Sequence, residues 1–235
     1  MTAIRVDELR TGDELAAAAR SSLYRCLATA FSFPTPRLSE AFASGGFLDD
    51  LLAAAPAFPF PLPADEGLRA DPALAHEELQ QEYIRLFEVG PGRPPCPLYE
   101  GSHRSGRMKI MEELVRFYEH FGLRHEAGDL PDHVCAELEF MHYLAFKEAA
   151  ALHTGAEHLP YRLAQRDFLR RHLNRWLPRL RLRLEQLDPP GLYLSLARLA
   201  EEACRQDVRS LESGRGKPDK QVGLCPTDEE GPSGD

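Results

Sequence analysis

Apolar residues recur at three- and four-residue spacing along most of the chain, which is the pattern of helices that bury one face. A first helix is predicted over about 13–31, with its apolar stripe at Leu15, Ala19, Leu23, Leu27 and Ala30. Further helices are predicted over about 39–54, as one broken helix or two short ones, and over about 73–88, 105–121, 132–152 and 190–211. Because no segment alternates convincingly with period two, the predicted fold is all-α, a single globular bundle of about seven or eight helices.

Residues at the predicted helix ends refine this picture. Gly122 suits the C-cap of the helix before it, and Asp132 suits the N-cap of the helix that follows. That following helix is expected to lie centrally, because its apolar stripe is wide: Val134, Cys135, Leu138, Phe140, Met141, Leu144 and Ala145. A long arginine-rich segment covers about 159–187, and Pro178 predicts a kink or a break in it. Pro190 fits the first turn of the last helix.

The composition changes near the end of the chain. Residues 213–235 combine glycine, serine and proline with charges of both signs. This composition is typical of segments that do not fold. We therefore predict a helical domain over residues 1–212 and a disordered tail over residues 213–235.

The segment from Val89 to Gly101 is predicted to be neither helix nor paired strand. It contains four prolines, which fix φ and remove four backbone donors, and glycines at its two ends. Amphipathic helical patterns lie on both sides of it: Leu79, Tyr83, Leu86 and Phe87 before, and Met108, Met111, Leu114, Val115 and Tyr118 after. A stiff loop held between two helices is predicted, and such a loop is suited to presenting side chains to a partner.

Composition excludes several classes of protein. The chain has 235 residues, a formal net charge of -9 and 28% charged residues, which argues for a soluble protein and against nucleic-acid binding. The five cysteines are scattered singly, as expected for reduced thiols in the cytoplasm. The N-terminus lacks the apolar run of a secretion signal, and the most apolar window, 47–63, is interrupted by prolines and acidic residues. A cytoplasmic protein without a membrane span is expected.

Some histidines and acids resemble parts of metal sites. Glu139 and His142 have the ExxH spacing of di-iron helical bundles, but no second ExxH accompanies them. Two histidine pairs flank glycines without the i,i+4 spacing of a zinc site: His120 with His125, and His153 with His158. Solvated or hydrogen-bonded side chains explain these residues better, so no metal or other cofactor is predicted.

The proline-rich loop offers two further chemistries. Its Gly90-Pro91-Gly92 stretch lacks the lysine ending and the preceding strand of a phosphate-binding loop. Cys96 is a thiol with no base nearby in sequence, and a lone cysteine is more often a small buried hydrophobe than a nucleophile. The residues therefore favour a binding protein over an enzyme.

Eight arginines are concentrated in one part of an otherwise acidic chain: Arg162, Arg166, Arg170, Arg171, Arg175, Arg179, Arg181 and Arg183. One interpretation is a solvated helix face opposite the leucines and Trp176 of the same segment. The other is a basic surface, at Arg166, Arg170 and Arg171, that docks an acidic surface or a phosphorylated cofactor. The sequence leaves both interpretations open.

Three segments, taken in order, resemble a known family. They are EYIRLF from Glu82, PPCPLYE from Pro94, and LPDH from Leu130 leading into ELEFM from Glu137. Together they resemble the TorD/DmsD/NarJ family of redox-enzyme maturation chaperones, and most of all the branch that serves type II enzymes of the dimethyl sulfoxide reductase family. The resemblance covers about residues 21–211.

This resemblance implies a cytoplasmic chaperone that binds the apo catalytic subunit of a molybdopterin enzyme, or its twin-arginine leader, until the cofactors are inserted. It implies no catalysis, no cofactor of its own and no nucleic-acid partner, and it leaves open a monomer or a helix-exchanged dimer. Two alternatives remain: a helical adaptor or assembly factor for another redox complex, and a metal- or thiol-dependent enzyme using Glu139, His142 or Cys96.

The family motifs also imply a client-binding groove beside the loop, formed by Tyr83, Leu86, Phe87, Pro95, Pro97, Tyr99, Glu100, Asp132 and His133. Prolines would preform the surface, aromatic rings would supply contact area, and Glu100 and Asp132 would pair with arginines of a leader. The alternative for Tyr83, Leu86 and Phe87 is core packing. The alternative for Asp132 is the helix cap.

Overall fold

The computed structural model describes residues 11–71, 75–124, 130–187 and 191–213, and these ranges contain ten α-helices and no strand. The helices are α1 (Gly12–Ala30), α2 (Pro36–Ser44), α3 (Gly46–Ala54), α4 (His76–Tyr83), α5 (Glu100–His103), α6 (Arg107–His120), α7 (Val134–Thr154), α8 (Leu159–Arg171), α9 (Leu173–Leu187) and α10 (Gly191–Ser213). The all-α class predicted from the sequence is confirmed. Within the described ranges, no helix combines the length and the apolar character needed to cross a membrane.

The first three helices follow the sequence pattern closely. α1 has Thr11 as its N-cap, whose side chain accepts a hydrogen bond from the backbone of Glu14. The predicted region 39–54 consists of two short helices, α2 and α3, which meet at Gly45. Gly45 has a φ of 82°, in the left-handed region that favours glycine, so this residue permits the chain to turn between the two helices.

The helix before the proline-rich loop ends in an unusual turn. α4 is followed directly by a π-helical turn, Ile84–Glu88, in which the backbone N–H of Val89 donates to Ile84 O at 3.0 Å. Short π-helical turns are rare and are found frequently at functional sites. Of the predicted helix 73–88, residues 73 and 74 lie outside the described ranges.

α6 ends at Gly122 as predicted, although the C-cap itself is Phe121 and Gly122 is the residue directly after it. Gly122 has a φ of 74°, and its backbone N–H donates to Glu119 O at 2.9 Å. The next residue, Leu123, donates to Tyr118 O at 3.0 Å, which completes the paired hydrogen bonds of a Schellman motif. α6 therefore stops where the sequence indicated.

α7 is the central helix, as its wide apolar stripe predicted. Leu138, Met141 and Leu144 are fully buried, and α1 packs along α7 more extensively than any other pair of described helices. The prediction that Asp132 caps this helix is wrong. The N-cap is His133, whose Nδ1 accepts a hydrogen bond from the backbone of Cys135 at 3.2 Å, whereas Asp132 is turned into the protein interior.

The arginine-rich segment breaks at a different residue from the one predicted. α8 and α9 are separated by His172, which has φ −119° and ψ −94°, and α9 contains Pro178 without a break. The physical reason is tertiary: the buried His172 side chain lies 2.8 Å from Glu100 Oε2, and this pairing fixes the break. Pro178 removes one helical hydrogen bond, which the surrounding packing tolerates.

A buried ion-pair network fixes how four helices meet. Arg20 of α1 lies 2.7 Å from Glu148 of α7, 2.8 Å from Gln165 of α8 and 3.7 Å from Asp207 of α10. Tyr24 OH donates to Asp207 at 2.6 Å, and burial raises the pKa of Asp207 while Arg20 opposes that change. A misplaced helix would leave one of these charges buried and unpaired, which is costly.

The last helix extends slightly past its predicted end, since α10 includes Ser213. Pro190, predicted in its first turn, lies outside the described residues. The same holds for the rest of the predicted tail, residues 214–235.

Candidate functional site

The proline-rich loop is fastened to the π-helical turn that precedes it. The backbone N–H of Cys96 donates to Leu86 O at 2.8 Å. Pro97 is buried and Pro95 is half-buried, so two of the predicted site prolines pack against the protein. The second part of the loop, from Pro95 onward, is therefore held against the protein, whereas residues 91–93 are exposed.

Tyr99 ends this loop and pairs with His133, which begins α7. The two residues form an isolated antiparallel β-bridge, in which Glu100 N–H donates to Asp132 O and Val134 N–H donates to Leu98 O, both at 2.8 Å. Their rings meet edge to face with centroids 4.9 Å apart. The structure thus brings together two predicted site residues that are far apart in sequence.

Glu100, the next predicted site residue, is fully buried and already has partners. Its Oε2 lies 2.8 Å from His172 Nδ1, and its Oε1 forms an ion pair with Arg104 one helical turn further along. Arg104 also donates to the backbone carbonyl of Arg171 at 2.9 Å. In this structure the carboxylate of Glu100 ties α5 to the break between α8 and α9.

Asp132 is buried in the same way. Its Oδ2 accepts a hydrogen bond from the backbone N–H of Gly101 at 3.1 Å and lies 3.8 Å from Arg107 Nε. A side chain at Gly101 would not fit, because its Cβ would lie 2.5 Å from Arg107 Cγ and 2.9 Å from Asp132 Oδ2. Asp132 therefore anchors α5 and the start of α6 beside α7.

A third buried acid, Glu137, completes this arrangement. Its Oε2 accepts a hydrogen bond from Trp176 Nε1 at 3.0 Å. Burial raises the pKa of Glu137 well above its usual value, and the nearby Glu100 raises it further. The indole of Trp176 stacks on His103, with ring centroids 5.4 Å apart, and His103 Nε2 lies 2.7 Å from Pro97 O. We call the three acids, together with Arg104, His172 and Trp176, the buried clamp: Glu100, Asp132, Glu137, Arg104, His172 and Trp176.

The three site residues predicted on the helix before the loop lie in the core. Tyr83, Leu86 and Phe87 are all buried, and Tyr83 OH donates to Phe31 O at 3.0 Å. Phe87 also packs edge to face against Tyr193 of α10, with centroids 5.2 Å apart. These three residues pack in the core next to the loop and support it. Direct contact of these residues with a client remains a prediction.

The exposed part of the site surrounds Tyr99. Burial raises the pKa of Tyr99, Glu88 raises it further and Arg107 lowers it, so both charges lie within electrostatic range of the phenol. Val89 is 63% exposed beside Glu88. We call the set Glu88, Val89, Tyr99, Arg107 and His133 the loop surface. Glu88, Val89 and Arg107 were not among the site residues predicted from the sequence, although Glu88 and Val89 directly follow the first family motif.

A groove between α6 and α8 adjoins the clamp and has a volume of about 690 Å³. Its apolar lining includes Phe117, Phe121 and Leu163. At one end Glu113 lies 3.9 Å from Nε2 of the clamp residue His172. The buried clamp therefore borders two surfaces, the loop surface and this groove.

The three arginines predicted to dock an acidic surface or a cofactor each have a partner within the chain. Arg166 pairs with the neighbouring Asp167 at 2.6 Å, and Arg170 pairs with Glu212 at 3.2 Å. Arg171 forms an ion pair with an α6 glutamate. A docking role for these three residues stays a prediction.

In the ExxH pair of Glu139 and His142, the histidine contacts α1 and the glutamate is exposed. His142 Nδ1 lies 2.8 Å from Ser21 Oγ and 2.9 Å from Ser21 O, and burial lowers the pKa of His142. Glu139 is exposed. In the part of the chain that the structure describes, no group of three or more potential ligands is arranged to hold a metal ion; His125 lies outside it.

Cys96 has the environment of a buried hydrophobe. Its Sγ points to Leu180 O at 3.7 Å, and burial raises the pKa of the thiol to about 12. A thiol with so high a pKa is not a nucleophile near neutral pH. The prediction that Cys96 is a small buried hydrophobe is confirmed.

The chain is similar to several known proteins. The sequence model of the family described as "Nitrate reductase delta subunit" matches residues 46–181, a range that contains the loop, the Tyr99–His133 bridge and the buried clamp. The selenate reductase assembly chaperone protein of Thauera selenatis is 45% identical over 159 residues, which cover 63% of this chain and 79% of that protein.

Two further relatives have names of the same kind. The chlorate reductase assembly chaperone protein of Ideonella dechloratans is 47% identical over 128 residues, covering 53% of this chain and 66% of that protein. The perchlorate reductase assembly chaperone protein of Dechloromonas aromatica is 33% identical over 191 residues, which cover 78% of this chain and 85% of that protein.

Proposed function

This chain belongs to the nitrate reductase delta subunit family, and from that membership we propose that it is an assembly chaperone dedicated to the catalytic subunit of one molybdopterin oxidoreductase. The resemblance to redox-enzyme maturation chaperones found in the sequence is thereby confirmed, since the relatives described above are named as assembly chaperones. Those names describe chaperones and not catalysts, so the chain is not an enzyme. Its client is the apo form of such a subunit, held until the molybdenum cofactor is inserted.

The observation that carries this proposal is the half-buried pair of Tyr99 and His133, whose backbone is held in place by the buried acids next to it. Glu100 and Asp132 fix the backbone on both sides of the bridge, so the loop surface is ordered before any client arrives. Binding to a preformed surface avoids the entropy cost of ordering it. A chaperone that must recognise one client gains specificity from such a surface.

The loop surface also defines what a client segment must offer. Tyr99 and Val89 supply apolar contact area, and the exposed carboxylate of Glu88 suits an arginine of a twin-arginine leader. The buried acids Glu100 and Asp132 instead pair with the chain's own Arg104 and Arg107. In this proposal they position the loop, while Glu88 meets the client.

Cellular location follows from the proposed task. Cofactor insertion precedes export of the client, so the chaperone works in the cytoplasm and leaves the client before assembly. The molybdenum cofactor and the iron–sulfur cluster are cargo of the client. The chaperone needs no resident cofactor for this role.

Affinity capture from the native cytoplasm tests the proposal directly. The tagged chain is expected to retain a molybdopterin-subunit polypeptide that lacks molybdenum, identified by peptide sequencing and metal analysis. The double variant Tyr99→Ala/His133→Ala should retain little of it, whereas Leu52→Ala, which trims an exposed leucine on α3, should retain it fully. Capture of no molybdopterin subunit by the unmodified chain would reject the proposal.

Removal of the chaperone from its host gives an independent test. The client should still be synthesised in the deletion strain, but its molybdenum content should fall to background. Restoring the unmodified chain should restore the metal. Normal molybdenum content in the deletion strain would contradict the proposed function.

A further inference from the structure

A groove bordered by α8, α9 and α10 has a different character from the loop surface. Its volume is about 500 Å³. The charged residues that line it are Arg170, Arg175, Arg205, Arg209, Glu201 and Glu212. We call it the basic groove, because four arginines face two glutamates in a chain whose formal net charge is -9.

Both acids of the basic groove are already occupied by cations. Glu212 pairs with Arg170 at 3.2 Å, and Glu201 pairs with Arg181, which lies outside the groove. Neither carboxylate is therefore free to neutralise the remaining arginines. The positive charge of the groove is not balanced by its own lining.

Two arginines of the groove make no ion pair in the described ranges, although the charge of Arg209 contributes to lowering the pKa of Glu202. No carboxylate oxygen there lies within 4.0 Å of the side-chain nitrogens of Arg175 or Arg209. Arg205 differs, because it pairs with Glu202 one turn earlier on α10. A short acidic segment, with two or three carboxylates in sequence, would match this pair of exposed cations.

The chain itself carries such a segment close by. Glu212 lines the groove and Ser213 ends α10, so the chain leaves the last helix beside the groove. The sequence then reaches Asp228-Glu229-Glu230, the only run of three consecutive acids in the chain. A connection of about 15 residues spans roughly 20 Å on average if it behaves as a random coil, enough to reach the groove.

We propose that the acidic segment Asp228–Glu230 binds the basic groove of its own chain. The tether raises the effective concentration of the segment to the millimolar range, so even a weak charge interaction is populated. While the segment is bound, Arg175 and Arg209 are covered and other acidic polypeptides are excluded from this face. Because the contacts are solvent-exposed, the interaction weakens as salt increases.

A fluorophore on Cys225, three residues before the acidic segment, reports this binding. Cys26 and Cys135 are partly exposed and are replaced by serine, whereas Cys96 and Cys204 are buried and do not react. Fluorescence anisotropy of the labelled full-length chain is then measured at low salt and at about 0.5 M salt, where exposed charges are screened. Circular dichroism verifies that every variant remains folded.

Three variants of the labelled chain test whether a high anisotropy is caused by binding of the acidic segment to the basic groove. The groove variant is Arg175→Gln/Arg209→Gln, and the tail variant is Asp228→Asn/Glu229→Gln/Glu230→Gln. The control variant is Arg25→Gln/Arg37→Gln, which removes two exposed arginines of α1 and α2 that likewise have no ion-pair partner in the described ranges.

We call the labelled chain without further substitutions the parent. The expected result is high anisotropy for the parent and for the control variant at low salt. The groove variant and the tail variant should both show the lower anisotropy that the parent shows at high salt. Parent-like anisotropy in either variant would overturn the proposal, since the segment would then not bind this groove through charge. Anisotropy that rises with protein concentration would also overturn it, because the tail of a second copy would be the occupant.

Discussion

Tyr99 and His133 face each other across an antiparallel bridge with their ring centroids 4.9 Å apart, one at the end of the proline-rich loop and the other at the N-cap of α7. The backbone on either side is fixed by hydrogen bonds between Glu100 and Asp132 and between Leu98 and Val134. The loop therefore cannot move without disturbing the start of the central helix. This coupling makes the loop surface a stable feature of the fold.

Removing the ring of Tyr99 should weaken client capture more than it weakens the fold. Tyr99 is half-buried, and its hydroxyl makes no hydrogen bond to any residue in the described ranges, so Tyr99→Ala should cost little stability. Aromatic residues at the centre of an interface commonly contribute about 2 kcal/mol, so we expect the dissociation constant to rise about 30-fold. Titration of the captured client into each variant measures this, with Leu52→Ala as control. Equal losses for both variants would contradict the site.

Truncating Glu100 should destabilise the whole protein. Glu100→Ala leaves His172 buried without its carboxylate and frees Arg104, and such a loss typically costs about 3–5 kcal/mol. The matched control is Glu112→Ala, which removes an exposed partner of Arg116 and should cost less than about 1 kcal/mol. Urea denaturation compares the two variants. Similar losses would show that the buried clamp contributes little.

Gly101→Ala should also be destabilising, for a steric reason. The new methyl group would lie 2.5 Å from Arg107 Cγ and 2.9 Å from Asp132 Oδ2, so both side chains must shift. We expect this shift to lower the free energy of unfolding by about 1–3 kcal/mol. Gly12→Ala is the control, because nothing lies within 4 Å of its added Cβ and it begins a helix. Thermal denaturation should separate them, and equal melting temperatures would refute the close approach at Gly101.

The buried acid Glu137 should make stability depend on pH. Its pKa is raised from the usual 4.5 by burial and by Glu100, so the folded state holds this proton to higher pH than the unfolded state. Stability contributed by the protonated form is therefore present below about pH 4.5 and is lost as pH rises toward the raised pKa. Glu137→Gln keeps an acceptor for Trp176 and removes the titration.

The free energy of unfolding should consequently fall less steeply with rising pH in Glu137→Gln than in the unmodified chain. The variant Glu139→Gln, which changes an exposed carboxylate on the same helix, is the matched control for the substitution itself. Denaturation curves between about pH 5 and pH 8 measure both slopes. A Glu137→Gln slope identical to that of the unmodified chain would exclude Glu137 as the titrating group.

Local features of the fold were predicted well because their causes are local. The start of α1, the turn between α2 and α3, and the Schellman motif at Gly122 each depend on residues within a few positions of one another. Predictions were wrong where contacts between residues far apart in sequence determine the local structure. Asp132 suits an N-cap, but the backbone N–H of Gly101 engages it, and Pro178 does not break a helix that His172 already interrupts.

The sequence by itself determined the helical class, the stiff loop between two helices and the family to which the chain belongs. Those properties follow from periodicity, from proline and glycine geometry and from short ordered motifs. Tertiary structure alone decided which motif residues are exposed. It buried Glu100, Asp132 and Tyr83 and left Tyr99 and His133 toward the surface. The reason is that burying a carboxylate is tolerable only beside a partner such as His172, and that partner comes from a distant helix.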